Sequence, residues 1–234
     1  MRLRWVARIM LLVAVAAGIA GCISFSIDKA VIRYRLTVNF EVGGKPVSAS
    51  SVYEVTYRDA GGSGSGTILA INTSSFQGQA LVLTIKDHST PIVAQHDGGL
   101  DGWMNLFIHA CGLAERFDNE SKSAYLARLR AFDDTCDVPV RHLLLLAIRD
   151  HLDPYSLRVV DRNNSTSQLG VQVKMISASV AKTDAAVTEG IRDIFPWVQA
   201  PGTIVMPSEN IFRKLPLGKG KVITNNMFIL GSAK

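Results

Sequence analysis

The sequence predicts an α+β domain: an N-terminal antiparallel sheet or small sandwich, a helical hairpin, then further strands packing in the same domain. Three observations carry that reading. Arg33–Val42 (RYRLTVNFEV) alternates, with Tyr34, Leu36, Val38, Phe40 and Val42 on one face, the period of a half-buried strand. From Gly98 the texture changes: Trp103, Leu106, Phe107, Ala110, Leu113 and Ala114 fall at i, i+3, i+4, i+7, i+10 and i+11, one stripe of a helix. Alternation then returns over Val171–Val180, with Val171, Val173 and Met175 on one side. The domain is expected to span 33–230, divisible into a β-rich part (33–97) and a mixed part (98–230).

The chain begins differently. Met1–Arg8 (MRLRWVAR) carries three arginines and no acid, and the apolar run Ile9–Ala20 (IMLLVAVAAGIA) leads straight into Gly21-Cys22. A basic head, a short apolar middle and small residues before a cut site are the layout of a secretory signal. With a cysteine directly after Ala-Gly, the segment resembles a bacterial lipoprotein signal whose lipobox is Ile19-Ala20-Gly21-Cys22. The resemblance implies that residues 1–21 are a signal peptide cleaved before Cys22. It also implies a diacylglyceryl group on the Cys22 sulfur and a fatty acyl group, such as palmitate, on its new amino end. Residues 22–32 are then a lipidated tether, and the protein sits in the cell envelope facing the periplasm. By the sorting habit of the lipoproteins it resembles, Ile23 rather than Asp after the cysteine implies the outer membrane. Physical size favours cleavage over a transmembrane anchor. Twelve apolar residues reach about 18 Å as a helix, against a hydrocarbon core of roughly 30 Å. Extending the span backwards would bury Arg8, at about 2.5–3.5 kcal/mol.

Removing 1–21 leaves 213 residues, enough for one sizeable domain or two small ones. Arg2, Arg4 and Arg8 leave with the signal, so the formal charge falls from +5 to +2. That is no nucleic-acid footprint, and no nucleic-acid-binding motif is present. From Pro201 onward Arg213, Lys214, Lys219, Lys221 and Lys234 face Glu209 alone, a tail that either meets anionic headgroups or cell-wall polymer or is a solvated loop. With Cys22 acylated, Cys111 and Cys136 form an even pair in an oxidising compartment. They make either a disulfide, worth roughly 3–4 kcal/mol in the chain-entropy model, or two separate buried thiols.

The elements follow in order. Ile23–Ala30 is a lead-in without periodicity. Gly43-Gly44-Lys45-Pro46 is turn chemistry, and Val47–Arg58 is a second strand. Gly61–Gly66 (GGSGSG) is a flexible loop. Thr67–Asn72 and Ala80–Ile85 are further strands, and Pro91–Gln95 pairs back on the latter across Lys86–Thr90. Asp101 caps the first helix. The second runs from Glu120 to Phe132 with Asp118 or Asn119 as cap and Tyr125, Leu129 and Phe132 on one face; Asp133–Pro139 breaks it. A Cys111–Cys136 bond would tie the first helix to the end of the second. Val140–Ile148 (VRHLLLLAI) is a buried central strand. Ser156–Asp161 is a short extended or helical piece, and Asn163–Ser167 is a loop. Thr188 caps a short helix through Ile194, stopped by Pro196 with Trp197 packed behind it. Pro201–Lys221 is loop, and Val222–Leu230 is a last strand.

One stretch carries a second resemblance. Leu144–Pro154 (LLLAIRDHLDP), Leu157–Asp161 (LRVVD), Gly170-Val171, Val187–Ile191 (VTEGI) and Phe195-Pro196-Trp197 are together similar to a group of uncharacterised proteobacterial envelope proteins. The similarity covers Val140–Trp197, about a quarter of the chain, and implies an envelope location without a particular activity.

Histidines are the candidates for chemistry. Asp87-His88 and His96-Asp97 flank the expected hairpin, where two imidazoles and a carboxylate would suit a metal such as zinc, although nothing fixes a third ligand. His109, off the apolar stripe, reads as a surface residue. His142 and His151 bracket the buried strand and, near Asp150 and Asp153, would make an acid/base cluster or merely satisfied polar groups at sheet ends. Gly62–Gly66 contains no Gly-x-Ser-x-Gly and matches neither a dinucleotide fingerprint nor a phosphate loop. Asp97–Gly102 has Gly99 and Ile108 where a calcium loop needs ligands. No catalytic residue, metal or cofactor is therefore assigned. The expected role is non-catalytic binding or scaffolding in the periplasm, with the membrane engaged through Cys22 and a protein, lipid or cell-wall partner, and no nucleic acid. The alternative is a periplasmic hydrolase or metalloenzyme using His88, His96 and Asp97, or His142 and His151. Convergence of those histidines in a concave pocket is the discriminating observation.

Overall fold

The strand with the cleanest alternation is the spine of the molecule. In the computed structural model, which describes residues 29–59, 71–85, 90–96, 99–114, 117, 120–153, 156–196, 198 and 229–230, β1 (Lys29–Val42) alternates exposed and buried residues along its length. It begins four residues before Arg33, so Ala30 and Ile32, assigned to the tether by sequence, are already fully buried in the sheet. Gly43 and Gly44 turn the chain with φ of +55° and +78°. Two positive φ values are what a two-residue type I′ hairpin requires, which is why glycines stand there. β2 (Lys45–Asp59) then returns in register from Val42↔Lys45 to Lys29↔Arg58.

The remaining elements are β3 (Ile71–Gln79), β4 (Leu81–Leu83), β5 (Ile92–His96), α1 (Gly99–Ala110), α2 (Lys122–Ala131), β6 (Thr135–Asp137), β7 (Leu143–Ile148), β8 (Leu157–Val159), α3 (Ser165–Leu169), β9 (Val173–Lys182), α4 (Ile191–Ile194) and β10 (Ile229–Leu230). They make an α+β fold with two antiparallel sheets, one ordered β10-β3-β2-β1-β9-β6 and the other β4-β5-β7-β8. The N-terminal strands thus divide between sheets, because β1 has two bonding edges and β9 occupies the second. β5 pairs back on β4 as expected. β9 changes phase at a bulge opposite Asn39/Phe40: Val173 and Met175 are buried before it, Ala178 and Val180 after it, and the intervening Ile176 is 51% exposed.

The core lies between the large sheet and a layer made of α1, α2 and the inner face of the small sheet. β7 is apolar on both faces because both are covered. Leu143 and Leu145 join the main core, while Leu146 and Ile148 meet Ile191, Phe195 and Val198 in a second cluster. Tyrosines fasten α1 to its surroundings. The hydroxyls of Tyr34 and Tyr57 donate to the Trp103 and Met104 carbonyls (3.0 and 3.1 Å), and that of Tyr125 donates to Leu113 O (2.7 Å). Tyr53 stacks between Tyr34 and Trp103, with ring centroids 5.4 and 5.0 Å away. From within α2, the Arg128 guanidinium spans Glu120, just before the helix, through two 2.9 Å bonds and lies over the Phe117 and Tyr125 rings.

Several expectations change. The two helices do not show as a hairpin packed on itself: α1 rests on β5, β6 and β9, and α2 rests on β1, because each buries its stripe against sheet. α1 starts at Gly99, which puts Asp101 inside the helix rather than at its cap. Ser121 caps α2, its Oγ accepting from Ala124 N at 3.1 Å; Asp118 and Asn119 fall outside the described residues. Val140–His142 is a single 3-10 turn leading into β7, not strand. Asn163–Ser167 is half helix, since α3 begins at Ser165. Thr188 does not cap α4. It closes the β2 edge beyond β3, with Oγ1 accepting from Val52 N (2.7 Å) and its N–H donating to Val52 O (3.1 Å). The Gln79 side chain caps α4 instead, Oε1 accepting from Ile191 N at 2.6 Å. Gly61–Gly66, most of Thr67–Asn72, Trp197, Pro201–Lys221 and Val222–Phe228 lie outside the described residues. No helix among the described residues is long and apolar enough to cross a membrane.

Gln95 breaks the pattern of the small sheet. It is 1% exposed, shares the face of Val93, and among the described residues neither its Nε2 nor its Oε1 has a hydrogen-bond partner. Burying such a group unpaired costs about 1–3 kcal/mol. Gln95→Leu, nearly equal in volume, is therefore expected to stabilise the fold by that amount, seen as a higher urea midpoint at constant slope. A lower midpoint would mean that the amide has a partner the described residues do not include.

Candidate functional site

At the end of β5 the side chain of His96 falls on the inner face, where α1 crosses it. Gly102 makes room for it. A Cβ at position 102 would stand 2.1 Å from His96 Nδ1 and 2.6 Å from its Cε1, so the imidazole lies directly on the helix backbone. Glycine within a helix is unfavourable by roughly 0.5–1 kcal/mol relative to alanine, and the close approach of the ring explains its presence here. Trp103 lies on another side of the imidazole, its ring centroid 6.1 Å away and tilted by 59°.

The facing wall is Val138–His142. Val138 N donates to Ala178 O at 2.8 Å, which fixes the segment against β9, and Pro139 starts the 3-10 turn that carries His142. The His142 ring is parallel to that of His96 within 10°, with centroids 6.1 Å apart. Arg141 Nε donates to His142 Nε2 at 3.3 Å. Arg162 holds the same turn from behind, its Nη2 donating to Val140 O (2.7 Å) and to Leu143 O. Two helical turns along from Gly102, through Leu106, stands His109.

Together these residues enclose a pocket of about 350 Å³. Leu106, Ala110, Val138 and Pro139 give it an apolar floor, and His96, His109 and His142 give it polar walls. Its two sides are joined covalently. The sulfurs of Cys111, next to Ala110, and Cys136, two residues before Val138, are 2.03 Å apart with Cα atoms at 5.2 Å. The bond runs from the end of α1 to the edge strand β6, rather than to the end of the second helix.

Set against the expected sites, this is a different grouping. His88, Asp87, Asp97 and Cys22 lie outside the described residues. His142 and His151 do not form a cluster: the six residues of β7 separate them, which is roughly 20 Å of strand, and His151 is exposed in the turn beyond. His109 is exposed, as expected, but at the rim of the pocket. Among the described residues no group of three or more His, Cys, Asp or Glu side chains is arranged to hold a metal ion. The convergence of His96, His109 and His142 was not read from sequence. Its trace there is the glycine at position 102, seven residues before His109 on one helix face.

Fold and site define an α+β domain with a histidine-walled, apolar-floored pocket. Comparison of the chain with protein-family models, with curated proteins and with solved structures found no match.

Proposed function

We propose that this protein is an envelope lipoprotein that binds rather than catalyses: a domain tethered through acylated Cys22, facing the periplasm at the outer membrane, that takes a small ligand in its pocket. The observation that carries the binding half is the lining of that pocket. A concave, mainly apolar cavity of 350 Å³ with a few convergent polar groups has the size and composition of small-molecule sites. Hydrolysis would need a nucleophile or activated water beside the imidazoles. The described lining offers Leu106, Ala110, Val138 and Pro139 instead. The tether rests on the basic, apolar and Ile19-Ala20-Gly21-Cys22 succession alone.

Native mass spectrometry of the full chain extracted from membranes tests both halves. The expected species begins at acylated Cys22 and carries a small-molecule adduct that disappears in Ala110→Leu, which fills the pocket. Cys22→Ser should also abolish palmitate labelling and release the protein from membranes. A chain that begins at Met1 without fatty acid overturns the tether. Absence of any adduct sensitive to Ala110→Leu overturns the binding role.

A further inference from the structure

Resting on that reading, we propose that the ligand of the His96–His109–His142 pocket is a small organic carboxylate with an apolar body, its carboxylate held by the imidazoles and its body on the Leu106/Ala110/Val138 floor. Three features of the pocket point to an anion. First, its described polar lining consists of imidazoles alone, from three separate elements, with no carboxylate among those lining residues. Imidazole N–H groups donate to anionic oxygens, and a cation would find no countercharge in them. Second, Arg141 Nε donates to His142 Nε2 at 3.3 Å. With Nε2 accepting from the guanidinium, the other ring nitrogen is the one that can serve as a donor. Third, two guanidinium groups flank the turn that carries His142: Arg141 on it, and Arg162 bonded to the Val140 and Leu143 carbonyls. Fixed positive charge therefore stands on the His142 side of the cavity.

The apolar floor sets the other half of the ligand. A bare phosphate or sulfate would leave Leu106, Ala110, Val138 and Pro139 without contact. A carboxylate on an aryl or short alkyl body satisfies both surfaces. A metal ion is the competing occupant, since imidazoles are common ligands. Among the described residues no three such donors come together, and a cavity of 350 Å³ is far larger than one ion.

Isothermal titration of the mature domain with benzoate and hexanoate, each beside its neutral amide, and separately with Zn²⁺ decides the matter. At least one carboxylate is expected to bind tenfold or more tightly than its own amide. The double variant His109→Gln with His142→Gln is expected to erase that preference while leaving the amide within about threefold, which also shows that the pocket has stayed folded. Amides that bind as well as the carboxylates, with both lost in Ala110→Leu, would overturn the anion class and leave the binding role standing. No binding by any of the four organic probes would overturn both this proposal and the small-molecule role on which it rests. Stoichiometric Zn²⁺ uptake abolished by His96→Ala, without carboxylate binding, would make the pocket a metal site instead.

Discussion

Replacing Cys111 and Cys136 together by serine is expected to lower the unfolding free energy by about 3.5 kcal/mol and Tm by about 7–14 °C. The bond closes a loop across a sequence separation of 25 residues. In the chain-entropy model that loop restricts the unfolded chain by about 3.5 kcal/mol. What the loop contains makes the folded side vulnerable as well. It holds all of α2, and it ends in β6, which pairs with β9 over only three residues. Without the bond, the wall of the pocket is held by a three-residue edge ladder, the Val138 N–Ala178 O bond and Arg162 alone among the contacts described. Urea denaturation of the wild type and the double serine variant measures the loss, and hydrogen exchange at Thr135–Val138 locates it. A loss below about 1 kcal/mol with unchanged exchange would show that the staple does not constrain this corner.

A second large effect is expected at alkaline pH. Burial raises the hydroxyl pKa of Tyr34 well above its ordinary value of 10.0, with Tyr57 and Tyr53 nearby adding to the shift. Burial does the same for Tyr53 and Tyr57; at Tyr53 the neighbouring Ser51 and Leu81 pull back less than burial pushes. The sign follows from proton binding. An unfolded tyrosine releases its proton near pH 10, while these three keep theirs when folded, so above that pH the unfolded state binds fewer protons and gains stability relative to the folded one. The contribution of the buried phenols is complete below pH 10 and is lost as pH climbs from there toward the raised folded values. Three groups at about 1.4 kcal/mol per unit give a slope near 4 kcal/mol per pH unit. Tm should hold up to about pH 9.5, then fall by about 8–16 °C per unit. Absorbance at 295 nm should report the three tyrosinates only as the far-ultraviolet signal collapses. Tyr34→Phe should flatten the slope by a third. Ionisation of all tyrosines near pH 10 in a still folded protein would contradict their burial.

Periodicity made some of the fold legible and left the rest hidden. It reports which face of an element is buried, so β1 and the stripe of α1 could be read, and the dense apolar run Val140–Ile148 marked a buried strand that the structure keeps over Leu143–Ile148. Periodicity says nothing about neighbours. That β9 pairs with β1 while β4 and β5 leave for a second sheet has no local mark. The expected Thr67–Asn72 strand meets β3 only at Ile71 and Asn72; beyond them, of the described side chains, only Phe76 is a large buried one, and the Ser and Gly residues carry no apolar period. Ser165–Leu169 is a helix held from outside, by the Ser165 hydroxyl accepting from Val173 N at 2.9 Å, and its own residues carry no apolar period. The pocket was the least visible part. Its three histidines stand 13 and 33 residues apart, and only the layering of α1 between β5 and the Val138–His142 wall makes them neighbours.

Were the proposed tether on Cys22 in place, the start of β1 at Lys29 would limit how far the domain strays from a bilayer. A lipid on Cys22 would leave only the six residues Ile23–Asp28 before the sheet begins, a leash of roughly 20 Å at full stretch. Val38, which pairs with Ala178 beside the pocket wall, stands nine positions up the strand from Lys29, roughly 30 Å further. On such a tether the cavity mouth would patrol a shell no deeper than about 50 Å above the lipid, and anything delivered to it would have to arrive at the membrane surface.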